Sequence, residues 1–158
     1  MDFKETEEKI RKFWEKEKIY KFDSKKKGEI YSVDTPPPTV SGNMHIGHAF
    51  SYSQQDFIVR FRRMFLARKN KGQVFYPFGT DDNGLPTERL IEKLKNVKSK
   101  EMSREKFTKL CLKTLKEITP DFIQDWKNIG ISSDFDIFYS TIDDRSRKIS
   151  QKSFLELY

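Results

Sequence analysis

The sequence predicts an α/β fold built on a parallel sheet, and three observations support this. Two short β-branched and aromatic runs, Glu29–Asp34 and Val74–Phe78, each lead through a polar loop into a long segment with apolar residues at helical spacing. A strand–loop–helix unit that occurs twice is the pattern of parallel strands joined by crossover helices. The two loops, 36–48 and 79–84, also hold the most reactive side chains of the chain. Ligands of such sheets bind beyond the carboxyl ends of the strands, so the two loops should face one crevice.

The elements follow in order. Residues 3–18 read as a surface helix, because Ile10, Phe13 and Trp14 make an apolar stripe among alternating charges. Ser24–Gly28 is a basic turn. After the first strand, Pro36, Pro37 and Pro38 forbid helix and force an extended exit. The loop Thr39–Met44 leads into a helix from about His45 to Phe65, with Ile46, Ala49, Phe50, Phe57, Ile58, Phe61, Met64 and Phe65 at three- and four-residue steps. Lys71-Gly72 marks a turn before the second strand, and Gly79–Gly84 (GTDDNG) is a polar loop. Pro86 suits the first turn of a helix over 86–96. Ser103 caps a helix over 103–118, Asp121–Asn128 forms another that ends at Gly130, and a last helix starts near Thr141. Phe154, Leu155 and Tyr158 are apolar and no stop signal follows them, so the chain is expected to be the N-terminal fragment of something longer.

A chain of 158 residues can hold one ordinary domain, and its 14 Phe carry much of the burial that a 35% apolar composition must supply. No run approaches the ~18 apolar residues that cross a membrane. The single Cys111 excludes an internal disulfide framework and fits a reducing, cytoplasmic setting. It sits in KLCLKTL on the apolar side of a helical pattern, which suits a packed thiol. The net charge of +7 is uneven. Arg60, Arg62, Arg63, Arg68, Lys69 and Lys71 stand without an acid, and residues 93–116 carry nine Lys or Arg against Glu101 and Glu105. A polyanionic partner and solvated helix faces are both open readings of that pattern.

Both histidines of the chain lie in one tetrapeptide, His45-Ile46-Gly47-His48, at the start of a helix. A helix N-terminus offers unpaired N–H groups and partial positive charge to phosphate. His45 and His48 are three apart and project from one side of the first turn. Imidazoles so placed can stabilise charge growing on a phosphate under attack. Gly42 lets the loop bend, and Gly47 leaves room for a flat base. Two His with no third ligand nearby make a poor zinc site, and no metal-binding residue is expected. In the second loop Asp81 and Asp82 crowd two carboxylates at a strand end, where one can receive an ammonium group. A turn with a helix cap is the plainer reading of that loop.

Pro38 to His48 fits, position by position, the signature of the class I aminoacyl-tRNA synthetases. DTPPPTVSGNMHIGHAFSYSQQDFIVRFRRM together with VFYPFGTDDNGLPTERLIEK resembles the archaeal-type valyl branch of that family, over essentially the whole chain. The resemblance implies the first half of a Rossmann-type catalytic domain over residues 29–158, truncated before the editing insertion, with residues 1–28 as an N-terminal helical extension. It implies activation of valine by ATP to valyl-adenylate, then transfer to tRNA(Val), with Mg2+ accompanying the nucleotide. His45 and His48 would be catalytic and bind the triphosphate. Pro38, Thr39, Gly42, Asn43 and Gly47 would complete the ATP site, with Gly47 under the adenine. Pro37, Pro38, Thr39, Asp81 and Asn83 would surround the amino acid, with Asp81 on its ammonium.

The family's second signature, KMSKS, is expected from the far half of the domain. Lys98–Arg104 (KSKEMSR) lies too close to the first motif and reads as a linker plus a helix cap. The editing and anticodon-binding regions are not found either. The chain is therefore expected to need the C-terminal part of the same enzyme, and to be inactive alone. The rival readings are an isoleucyl- or leucyl-type synthetase, a small HxGH nucleotidyltransferase, and an ATP-binding module without activity. No membrane partner is expected.

Overall fold

The computed structural model describes residues 2–68 and 71–158. Lys69 of the basic stretch lies outside the described residues. The elements are α1 (Phe3–Glu17), β1 (Glu29–Ser32), α2 (Ile46–Arg68), β2 (Gly72–Phe75), β3 (Pro77–Thr80), α3 (Leu85–Lys95), α4 (Arg104–Asn128), β4 (Asp134–Ser140) and α5 (Asp144–Leu157). A short 3-10 turn, Ser99–Glu101, precedes α4.

The strands pair in parallel, β1 with β2 and β3 with β4. Only Tyr76 separates β2 from β3, so residues 72–80 are one extended run that changes neighbours midway. Glu29–Ser32 lie beside Gly72–Phe75, and Phe78–Thr80 lie beside Phe138–Ser140. Pro77 has no N–H to give a ladder, which suits the changeover. A further parallel bridge joins Thr39 to Asp81. Chain ends from three directions thus meet at the carboxyl edge: Thr39, Thr80-Asp81 and Ser140-Thr141. At the other end the strands enter very close together, since a Cβ at Gly72 would lie 1.9 Å from the Glu29 carbonyl oxygen. Only glycine fits there.

Three features depart from the sequence-based expectation. First, β4 (DFDIFYS) was not expected as a strand. Phe135, Ile137 and Tyr139 do alternate with the exposed Asp136 and Phe138, but two aspartates interrupt the apolar signal. Second, the helices expected over 103–118 and 121–128 are one helix that runs through Pro120. A mid-helix proline costs ~3 kcal/mol, and burying Phe122 and Trp126 on one side of the same helix offsets that. Third, α2 is a helix as expected, but its buried residues are Asp56, Val59 and Leu66. Ile46, Phe50, Phe57, Phe61 and Met64 are exposed. Besides these three, two element bounds shift: Gly79 and Thr80 belong to β3 rather than to the loop, and Gly72 opens β2 rather than forming a turn.

The core gathers Val40, Val59, Leu66, Val74, Tyr76, Phe78, Ile91, Phe122, Trp126 and Ile131. It ties both crossover helices to the central run, and Trp126 is fully buried at its heart. Ser103 caps α4 by accepting the Lys106 N–H, so the KSKEMSR stretch is indeed a linker and a cap. Cys111 is half-buried against the core, and burial pushes its thiol pKa up, with Glu88 and Glu92 adding to the effect. A protonated, packed thiol is the result.

Three of the four arginines of α2 turn toward the rest of the chain, while Arg68 at its end is exposed. Arg60 Nε donates to the buried Asp56 at 2.6 Å, and its Nη1 donates to the Tyr20 hydroxyl at 2.9 Å. Arg63 donates to the Ser132 hydroxyl and carbonyl at 2.9 and 3.0 Å. The Ser132 N–H and hydroxyl in turn both donate to Asp56. Arg62 lies over the Tyr31 ring. These three charges stitch α2 to the turn before β4 and to β1, and are not offered to a polyanion.

Candidate active site

The first loop is anchored by backbone to the second. Asp81 N–H donates to the Pro38 carbonyl at 2.9 Å, and Val40 N–H donates to the Asp81 carbonyl at 3.0 Å. Thr87, in the first turn of α3, donates its buried hydroxyl to the Val40 carbonyl at 3.0 Å. Tyr52 on α2 donates to the Pro36 carbonyl at 2.6 Å, which fixes the triple-proline segment from the other side. Burial raises the Tyr52 pKa to about 12, with Tyr76 and Tyr139 adding to the rise, so the phenol keeps the proton it donates. The two loops therefore do face one another.

The histidines stack. The His45 and His48 rings are 3.9 Å apart and inclined by 20°. His45 is exposed, and His48 is half-buried with its ring 5.8 Å from that of Trp126. Tyr52 meets Trp126 edge-on at 4.5 Å, which makes an aromatic floor under the pair. Burial lowers the His48 pKa, and the charge of neighbouring His45 lowers it further. His48 is thus neutral near pH 7, and donates through one nitrogen at a time. Its Nδ1 is enclosed and has no partner. A Cβ at Gly47 would stand 3.1 Å from Cε1 and Nδ1 of His45, so glycine here lets the His45 ring fold back. Gly42 has φ 150° with open space around it. Met44 packs against the core, whereas Asn43 is exposed.

The aspartates are held closely. Asp81 Oδ2 accepts from the Thr39 hydroxyl at 3.2 Å. Its Oδ1 accepts from the Asn83 N–H at 3.2 Å and from the Thr141 hydroxyl at 3.0 Å. Asp82 Oδ2 accepts from the hydroxyls of Thr80 and Ser140, while its Oδ1 is enclosed without a partner. Asp82 thus turns inward and ties β3 to β4. Asp81, with three donors on about four lone-pair positions, keeps one acceptor position on Oδ2. Asn83 is exposed, and its side-chain oxygen accepts the Gly84 N–H at 2.9 Å. Pro37 is half-buried and Pro38 buried beside the Asp81 strand end.

Residues 9–158 match the family described as tRNA synthetases class I (I, L, M and V). The chain belongs to this family. It is 52% identical over 157 residues to a valine–tRNA ligase of Rickettsia prowazekii, covering 99% of this chain and 19% of that protein. It is 46% identical over 156 residues to a valine–tRNA ligase of Ehrlichia ruminantium (strain Welgevonden), covering 99% and 18%. The chain spans about a fifth of the length of these curated relatives. In fold it is similar to the LeuRS of Agrobacterium radiobacter K84, solved as a ternary complex with tRNA and LeuAMS. The TM-score there is 0.75 at 23% identity, over 100% of this chain and 18% of that one.

The class I chain brings together Pro37, Pro38, Thr39 and Asp81 at one strand edge, and His45, Gly47 and His48 at the helix start that follows. Two residues at this edge escaped the sequence reading. Ser140, at the end of a strand that was not foreseen, and Thr141, just after it, reach the aspartates from about 60 residues further on. The signal for Ser140 was the alternation within β4, and Thr141 follows from it as the next residue. A cleft of about 580 Å³ lies elsewhere, between α1 and the amino end of β4, lined by Trp14, Tyr20, Lys127 and Phe135 among others. It touches neither loop.

Proposed function

We propose that residues 29–158 form the first part of a catalytic domain that activates valine with ATP in the whole protein, with residues 1–28 as a helical extension. The valine carboxylate attacks the α-phosphate of ATP, pyrophosphate leaves, and the valyl group then passes to tRNA(Val). His45 and His48 donate N–H groups to the triphosphate, and Nε2 of His48 serves here because Nδ1 is enclosed. Gly47 makes room for the adenine, and Pro38, Thr39, Gly42 and Asn43 shape the rest of the ATP loop. Asp81 takes the substrate ammonium on its remaining acceptor position, with Pro37, Pro38, Thr39 and Asn83 around the amino acid.

The observation that carries this reading is the backbone tie between Pro38–Val40 and Asp81, which sets a phosphate-type loop and an ammonium-type carboxylate side by side. The choice of valine rests on relatives about half identical that bear that name. The residues here offer Mg2+ no cage. Among the described residues no group of three His, Cys, Asp or Glu could hold a metal ion, and Asp81 and Asp82 are already bonded to hydroxyls. In this reading Mg2+ travels with the ATP phosphates, whose charge it offsets. The remaining catalytic residues come from other parts of the whole protein, which works in the cytoplasm. Among the described residues no helix is long and apolar enough to cross a membrane.

Amino-acid-dependent ATP–pyrophosphate exchange by the whole protein tests the proposal. Exchange with valine, and far less with isoleucine or leucine, is expected. Preference for isoleucine or leucine would transfer the chain to another branch of the family.

A further inference from the structure

We propose that Thr141 is a positioning residue that fixes the Asp81 carboxylate in the orientation that receives the substrate ammonium; this rests on the role of Asp81 proposed above. The sheet register creates the arrangement. Thr80 is paired with Ser140, and the Thr141 N–H donates to the Thr80 carbonyl at 3.0 Å, so residue 141 lands beside residue 81. On the opposite side the bridge between Thr39 and Asp81 sets a second threonine there. The two neighbouring chain segments thus each place a hydroxyl on one oxygen of the same carboxylate: Thr39 on Oδ2 and Thr141 on Oδ1.

The direction of the Thr141 bond is forced. Its oxygen accepts the Asp82 N–H at 3.1 Å, and an N–H can only donate. The hydroxyl proton is left for Asp81, whose ionised carboxylate can only accept. A β-branched side chain with few rotamers holds that geometry at small entropic cost. With Oδ1 filled by Thr141 and the Asn83 N–H, the open acceptor direction falls on Oδ2. Thr141 therefore selects which oxygen, and which face, meets the ammonium.

The test uses the whole protein. Thr141→Val keeps the shape and removes the hydroxyl, and Thr141→Ser keeps the hydroxyl. Loss of a hydrogen bond to a charged group should raise the KM for valine about tenfold to a hundredfold in Thr141→Val. The KM for ATP should stay within about twofold, and Thr141→Ser should lie within about threefold of wild type. Valinol, which keeps the ammonium, should weaken as an inhibitor in step with valine, while isovalerate, which lacks it, should not. An unchanged valine KM, a parallel rise for valine and ATP, or equal weakening of both inhibitors would each overturn the inference. If Thr141→Val does not fold, Thr141→Ser decides: a tenfold rise in its valine KM overturns the role. A wild type that exchanges pyrophosphate with no amino acid sinks the proposed function and this inference with it. A normal wild type with an indifferent Thr141→Val sinks the inference alone.

Discussion

The loop that ends in His45 and His48 and the loop that holds Asp81 and Asp82 lie side by side but are held in opposite ways. Among the described residues neither imidazole has a hydrogen bond. The rings rest on each other and near Trp126, and the bonds that anchor the loop lie upstream of them, at Pro36 and Pro38–Val40. The Asp81 carboxylate, by contrast, has three donors from three separate chain segments. The difference matches what each loop is proposed to bind. A small ammonium is best met by a carboxylate whose direction is set beforehand. A triphosphate that changes geometry during reaction suits donors free to follow it, and their worth appears in the transition state.

Four measurements would break or sharpen that contrast. The largest effect is expected from His45→Ala. Its rate of pyrophosphate exchange should fall ~10²–10³-fold, while the unfolding free energy from urea titration stays within about 0.5 kcal/mol. A clear loss of stability would show that the first loop is tied after all. Asp82→Ala should do the reverse. It leaves the fully buried Thr80 hydroxyl without its partner and the Ser140 hydroxyl proton without its acceptor, and should cost about 2–3 kcal/mol in the same titration. If Asp82→Ala unfolds no more easily than wild type, Asp82 is not the tie between β3 and β4 described above.

A smaller effect is expected from Gly47→Ala. Its new Cβ must push the His45 ring by a few tenths of an ångström, since it would lie 3.1 Å from two ring atoms. A loss of about threefold to tenfold in exchange rate, without loss of stability, fits a ring that can shift but not freely. No change would mean that the stacked arrangement is irrelevant to ATP. The smallest effect concerns protons. Burial and His45 lower the pKa of His48 below 6.5, so the folded chain binds fewer protons than the unfolded chain just below that pH. The His48 contribution to stability is therefore complete above about pH 6.5 and declines as pH falls through that window. Proton NMR of the two imidazoles checks it: His48 should titrate below the ordinary value, and a normal or raised value would contradict the enclosed ring.

Much of the candidate site was legible because its parts are local. His45, Gly47 and His48 announce themselves within four residues, and Asp81 within one loop. The Ser103 cap and the helix after Pro86 are likewise decided by a few neighbours. The faces of α2 were not legible. Phe50, Phe57 and Phe61 share a helical stripe, yet the sheet side takes Val59, Leu66 and the polar Asp56. Periodicity says that a helix has sides, not which side the rest of the chain covers. The arginines of α2 show the same limit. Charge density left a polyanion and solvated faces both open, and only the folded chain sets Arg60 and Arg63 against Asp56 and Ser132.

The amino-acid order alone determines the α/β pattern, the helix starts and the two reactive loops, because caps, prolines and apolar spacing act over a few residues. The strand pattern also predicts that those loops face one another, but the bonds that join them belong to the folded chain. So do the continuation of α4 through Pro120, the presence of β4 and the grip of Thr39 and Thr141 on Asp81. Each depends on contacts between residues some 40 to 60 positions apart, or on burial that outweighs a local preference. Sheet register settles such matters, and register exists only once the strands have met.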